Sequence, residues 1–438
     1  MKKFKKYMML ACMLFGVGIS LQSCLFEEED TFEQSAANRL TENINRYERI
    51  LQGVPNGWLM EYYIGSNYEY GGIPILCRFK DGRVEMATTF EADGVKPGTV
   101  VTSLYKLGSN QSTVLSFDTY NPLIHYFGTP GLVDISNPNT TLGGDYEFVM
   151  REGAGDKIVM EGTKYGNRMV LTPLLEDADW KSYISGALQI EDAAFLKNFK
   201  IMDQAKELGS LSRSNWTFSY RPEGSKEKIN VPFVYTSTGL KLREPMEVNG
   251  VKVMNFTWNS ERMSFNCTDA GAEQVSLVSV YPEGYMPYEK FLGTYTLTAG
   301  QPVKEGTSYV LKPRDLTVTI EQDVEGESYL IKSEDIDIPI PLSYDRGSGS
   351  VELVSKKLGA LSKYYIGMRI SVDTGLYPVG IASLIGEVTT EDPFTLVLVD
   401  DGTGWGATGF SLYAYGDVAY SEELGYWDWF DRPVFVKQ

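Results

Sequence analysis

Two-residue turn pairs, set between short runs of β-branched and aromatic residues, restrict this chain to antiparallel sheets over much of its length. Asp81-Gly82 separates Ile75–Lys80 from Arg83–Thr88, and Asn249-Gly250 separates Met246–Val248 from Val251–Val253. The favoured hairpin turn needs two successive residues at positive φ, which Asn or Asp followed by Gly adopts readily, and its twist matches that of paired strands. In the first hairpin Ile75, Cys77 and Phe79 alternate in step with Val84 and Met86, so one face is expected to be buried. Further strand runs are read at Trp58–Tyr63, Val114–Phe117, Tyr146–Met150, Lys157–Glu161 and Arg168–Thr172, in the order of a meander. The 28 tyrosines and 13% aromatic content suit pleated surfaces better than helices.

One helix precedes these strands. Ala36, Leu40, Ile44, Tyr47 and Leu51 recur at steps of three or four and share a face, and Gly53 and Pro55 end the run. A second helical zone is expected within Asp177–Leu208. From Phe291-Leu292-Gly293-Thr294-Tyr295 onward only strands follow, and the Gly-x-Tyr opening is similar to that of lipocalin-like barrels. The expected fold is therefore mainly β, of the α+β kind. An N-terminal helix with an antiparallel β-meander occupies residues 35–285, and an all-β small barrel or sandwich occupies 286–438.

The first residues carry a different message. Lys2, Lys3, Lys5 and Lys6 precede the uncharged, largely apolar run Tyr7–Leu21, the layout of a signal peptide spanning residues 1–23. That run falls short of the roughly 20 residues a membrane-spanning helix needs. Leu21-Gln22-Ser23-Cys24 resembles the bacterial lipobox, which makes Cys24 the expected site of lipidation. Each buried acyl methylene contributes about 0.8 kcal/mol, so two or three chains, palmitate among them, anchor a protein firmly. Residues 24–34 then form an acidic tether. Its Glu27-Glu28-Glu29-Asp30 run resembles the signal that sends Bacteroidota lipoproteins to the outer face of the outer membrane. The expected location is the cell outer membrane, lipid-anchored and facing the exterior.

Charge narrows the partners. Removing residues 1–23 takes away four of the 40 Lys and Arg and none of the 58 Asp and Glu, leaving a net charge of −22. Nucleic acid needs clustered cations and is excluded as a partner. Neutral glycans, peptides, cations and other proteins remain open.

Catalytic signals are sparse. His125, between Ser116 and Phe127 and flanked by aromatics, is the single histidine, so any Ser-His-Asp or Cys-His arrangement would have to use it. Apart from Cys24, the chain after the signal segment keeps Cys77 and Cys267, which could pair in an oxidising compartment or act as buried hydrophobes. One histidine and two distant cysteines do not form a zinc motif. Asp177-Ala178-Asp179 and Asp335-Ile336-Asp337 lack the spacing and the Gly of an EF-hand loop. No metal, cofactor or catalytic residue is expected, although a glycosidase-type carboxylate pair is recognised only in space.

Two segments suit binding. Tyr426-Trp427-Asp428-Trp429-Phe430 places two indoles, by strand alternation, on one face, where with Tyr426 they could stack on sugar rings or fill a barrel core. Gly128–Gly144 is rich in Gly, Pro, Asn and Thr and long for a connection.

Asn38-Arg39-Leu40, Pro55-Asn56-Gly57-Trp58-Leu59-Met60-Glu61-Tyr62-Tyr63, the Ser116–Phe127 segment and Gly144-Asp145-Tyr146-Glu147-Phe148 together resemble the Bacteroidota lipoprotein family with domain of unknown function 4302, over about residues 35–260. The resemblance brings no catalytic residues. It implies an accessory lipoprotein beside outer-membrane nutrient-uptake systems of the SusC and SusD kind. The expectation is thus a non-enzymatic, surface-exposed binding protein for glycan or peptide capture, with the membrane and an uptake complex as partners. The alternatives are an adhesion or structural surface protein and a carboxylate-dependent hydrolase.

Overall fold

The computed structural model describes residues 36–65, 67–109, 112–131, 139–153, 156–221, 226–372, 378–379 and 382–438. Cys24, the signal segment and the tether lie outside the described residues. The chain is mainly β and divides into two compact units after Gly186.

The first unit opens with α1 (Ala36–Gln52), β1 (Trp58–Tyr63), β2 (Gly72–Lys80) and β3 (Arg83–Thr88). It continues through β4 (Val101–Leu104), β5 (Lys106–Ser109), β6 (Thr113–Ser116) and the one-turn α2 (Pro122–His125). β7 (Glu147–Glu152), β8 (Ile158–Gly162) and β9 (Arg168–Pro173) complete it. The sheet order is β4-β3-β2-β1-β9-β8-β7-β6-β5. Its two end strands are one stretch of chain interrupted only by Tyr105. The Tyr105 N–H donates to Gly82 O (3.0 Å) beside β3, and the neighbouring Leu104 carbonyl accepts from Asp118 N (3.0 Å) just past β6. Val101–Ser109 therefore serves both ends, and the sheet rolls into a closure of eight strands.

The hairpins follow their turn chemistry. Asp81 and Gly82 adopt φ of 48° and 72°, Asn249 and Gly250 of 47° and 81°, as this turn requires. Ile75, Cys77, Phe79, Val84 and Met86 are buried as the alternation predicts. Leu76, on the opposite face, is buried as well, and β2 alternates only near the turn. That second face is covered: the Arg78 guanidinium lies 5.6 Å from the Trp180 ring. Trp58 Nε1 donates to Leu51 O (2.9 Å) and pins the end of α1 to the sheet. At Gly57, φ is +83° and a Cβ would meet Cys77 O at 2.3 Å, so only glycine fits this entry to β1.

The helical zone expected within Asp177–Leu208 holds α3 (Trp180–Ala193), and strands resume already at Asn198. Asp179 caps the helix, its Oδ2 accepting from Ser182 N (2.8 Å) and Oγ (2.6 Å), which gives one of the paired acids a structural role. The second unit then forms a closed barrel of β10 (Asn198–Asp203), β11 (Lys206–Ser214), β12 (Thr217–Tyr220) and β13 (Ile229–Tyr235). β14 (Gly239–Val248), β15 (Val251–Asn259), β16 (Ser264–Cys267) and β17 (Val275–Val280) follow, and β17 returns to pair with β10. Phe199, Phe218, Phe233 and Phe265 are buried in one core with Ala187 and Ala194.

After α4 (Tyr288–Phe291) come β18 (Gly293–Glu305), β19 (Ser308–Val324), β20 (Ser328–Ser333) and β21 (Ile336–Asp345). β22 (Ser350–Val354), β23 (Lys356–Leu361), β24 (Tyr364–Val372) and β25 (Pro378–Val379) follow. The last are β26 (Ser383–Glu391), β27 (Phe394–Asp400), β28 (Ala407–Tyr415) and β29 (Glu423–Lys437). The path β18-β19-β20-β21-β22-β26-β27-β29 is closed by pairing of β18 with β29, again through eight strands. From Asp431 backwards β29 leaves β27 and pairs with β28, which carries β24 and β23 as a flap.

Cys77 and Cys267 are both free and buried. Burial raises both thiols, that of Cys267 to about 11, so neither is a thiolate at neutral pH.

Candidate functional site

β29 pairs with β18 up to Asp431, opposite Gly300, and the two strands then part. β18 runs on with β19 as a two-stranded arm out to Glu305 and Ser308, while the first half of β29 follows β28. Pro302 lacks an N–H and cannot donate to a ladder with β29, which suits it to the place where the fork opens. A cavity of about 260 Å³ fills it, walled by Gln301, Pro302 and Tyr309 on the arm and by Tyr426–Trp429 on β29.

The two indoles do not share one setting, contrary to the simple alternation. Leu412 lies opposite Asp428 but Tyr413 lies opposite Tyr426, so a bulge takes Trp427 out of register. Trp427 is 38% exposed and Trp429 only 4%. Tyr426, 37% exposed, takes the place next to Trp429, with ring centroids 5.0 Å apart and edge-on, and packs on Tyr413 at 4.3 Å. The Trp427 indole Nε1 donates to Asp337 Oδ2 (2.9 Å) on β21, and its ring lies 5.7 Å from Tyr364. Asp337, one of the acids weighed for calcium, is thus an orienting acceptor.

Asp428 anchors the floor. Its carboxylate accepts from Arg314 Nη1 at 2.9 and 3.1 Å, from Gln301 Nε2 at 3.4 Å and from the Trp429 N–H at 2.8 Å. The Arg314–Asp428 pair is largely shielded from solvent and bridges β19 and β29 across the fork, so removing either partner would leave a poorly solvated, unpaired charge. Nearby, Arg369 pairs with Glu423 at 2.5 Å and lies 5.1 Å from the Tyr413 ring, and burial raises the Tyr413 phenol well above its usual range. The site therefore offers aromatic faces, neutralised ion pairs and fixed hydrogen-bonding groups.

Tyr309, 64% exposed, Gln301 and Arg314 are not singled out by sequence reasoning, and Asp337 enters it only as an acid weighed for calcium. Each lies about a hundred residues before Tyr426, and no local pattern marks them. The other candidates have structural settings. His125 stacks on Tyr146 at 4.7 Å, its Nδ1 is 3.1 Å from Asn121 O, and burial lowers its pKa. In the Gly128–Gly144 stretch, residues 132–138 lie outside the described residues, while Gly144 N donates to Phe127 O (3.1 Å) at its end. Among the described residues, no group of three or more His, Cys, Asp or Glu is placed to hold a metal ion.

A family model described as a domain of unknown function (DUF4302) matches residues 28–260. The chain belongs to the DUF4302 family. A second model, also a domain of unknown function (DUF4987), matches residues 268–396. No curated protein matches the chain in sequence. The DUF4302 match covers α1, the first sheet and the central barrel as far as β15, and the DUF4987 match takes in the arm of β18 and β19. Trp427 and its neighbours on β29 lie beyond both.

Proposed function

We propose that this DUF4302 chain is a non-enzymatic binding protein, held in the outer membrane by a lipid on Cys24 and facing the exterior, where it captures a nutrient ligand, glycan or peptide, for an uptake complex. The observation that carries the binding reading is the fork cavity, where Trp427, Tyr426 and Tyr309 stand partly exposed over the shielded Arg314–Asp428 pair. Partly exposed aromatics beside fixed polar groups are the usual furniture of a ligand site. The anchor reading rests on the Leu21-Gln22-Ser23-Cys24 sequence and the acidic run after it. A net charge of −18 favours neutral or cationic ligands over polyanions.

A thermal-shift screen of the full-length protein against neutral glycans and peptides tests the binding reading. A ligand at 100 times its Kd adds about 2.7 kcal/mol, enough to move the midpoint by a few degrees. The expected shift disappears in Trp427→Ala. A well-folded protein that responds to neither class argues against capture of a small ligand. For the anchor, Cys24→Ser is expected to abolish labelling by radioactive palmitate and to release the protein from the membrane fraction; labelling that persists would refute it.

A further inference from the structure

The binding reading leaves the ligand class open, and one side chain lining the cavity narrows it. Trp429 lines the cavity, is 4% exposed, and its Nε1–H has no acceptor among the described residues. An unpaired buried donor is unfavourable, so a molecule that brings an acceptor oxygen is favoured over one that does not. An apolar anchor such as a leucine side chain would leave the N–H dry.

The charges at the wall are already engaged. Arg314 and Asp428 neutralise one another, and Asp337 accepts from Trp427. A charged ligand would have to break one of these contacts to find its partner, at the cost of leaving the other ion unpaired. Besides Gln301 and Pro302, the remaining surface is the aromatic side chains of Tyr309, Tyr426 and Trp427. At about 260 Å³ the cavity lies just below the roughly 300–1,000 Å³ of sites that enclose a drug-sized molecule, so it holds about one ring.

Resting on the binding reading above, we propose that the fork cavity takes a single neutral sugar ring of a glycan, its C–H face stacked on aromatic rings and one of its oxygens accepting from Trp429 Nε1. Hydroxyls both donate and accept, which suits a wall holding an indole N–H, the Gln301 amide and carboxylate oxygens. Trp429 Nε1 is itself covered, so admitting the sugar oxygen requires the partly exposed Tyr426 ring, edge-on to Trp429, to move aside.

Saturation-transfer NMR on the full-length protein tests this, with methyl glycosides of neutral hexoses and N-acetylhexosamines as probes, and sodium galacturonate and neutral tripeptides for comparison. Transfer to the ring C–H protons of at least one neutral glycoside is expected. Trp427→Ala, at a partly exposed position, is expected to abolish it while the melting curve stays cooperative. Trp429→Phe keeps an aromatic ring but removes the N–H, and is expected to weaken binding about three- to tenfold. Should Trp429→Phe fail to fold, Trp427→Ala and Gln301→Ala carry the test. Glycoside binding that Trp427→Ala leaves unchanged would overturn the assignment. Tripeptides that bind through Trp427 while every glycoside is silent would overturn the sugar but keep the binding reading. Silence from all probes would overturn both.

Discussion

Asp145 illustrates how a single side chain can organise a turn. It is 2% exposed, and its carboxylate accepts from the backbone N–H groups of Lys164, Tyr165 and Asn167 and from Asn167 Nδ2, at 2.7 to 3.2 Å. Bonds to a charged acceptor are stronger than neutral ones, and the donors would be left buried without it. Asp145→Ala is expected to lower stability by about 3 kcal/mol or more, measured by urea unfolding. His125 gives a pH signature. Burial holds its pKa below the usual 6.5 or so, so the neutral ring is favoured in the folded state. Its contribution is therefore complete above about pH 6.5 and is lost as pH falls through the depressed folded value. Thermal midpoints between about pH 7 and pH 5 should fall less steeply in His125→Gln than in the natural protein. Glu191 has the opposite sign: burial raises its pKa although Trp216 Nε1 donates to it at 2.7 Å, so stability drains as pH rises through that value. Glu191→Gln keeps an acceptor for the indole and is expected to flatten the stability profile above about pH 4.5.

At the scale of elements, what sequence reveals is what is local. The helix ending at Gln52, the strand Trp58–Tyr63 and both Asn/Asp-Gly hairpins are encoded by neighbouring residues, through periodicity and positive-φ turns, and they fall where expected. The closing strand Val101–Ser109 is not legible, because its pattern is broken at Tyr105 and its value lies in joining strands distant in sequence. The candidate site was half legible. Tyr426, Trp427 and Trp429 stood out by type, but the bulge that separates their environments depends on pairing with β28, and the opposite wall comes from β18 and β19. Tyr105 tests the closure. Its ring meets Phe79 edge-on at 4.9 Å, and its hydroxyl donates to Glu48 Oε1 (2.7 Å) on α1. Tyr105→Ala is expected to cost about 3–5 kcal/mol and Tyr105→Phe about 1 kcal/mol. Hydrogen exchange should show the larger loss of protection at both Val101–Leu104 and Lys106–Ser109; a loss confined to one end would mean that the sheet is open.

For the molecule as a whole, a net charge of −18 means self-repulsion that folding must overcome. Raising sodium chloride from about 10 to 150 mM, which shortens the Debye length to about 8 Å, is expected to raise the melting midpoint. A midpoint that falls with salt would point instead to dominant attractive pairs. Three successive rounds of eight strands have a consequence for how such a protein can meet its surroundings. Rolled sheets present few unpaired backbone groups, and β23, which ends the flap of the last sheet, carries Lys356 and Lys357 and a register shift before Gly359. Lysines and bulges are what keep a free strand from acquiring a neighbour. Recognition by β-augmentation, in which a partner adds its own strand, is therefore discouraged at β23, whereas the arm of β18 and β19 beyond Gly300, where β18 and β29 part company, keeps edges with no partner strand among the described residues.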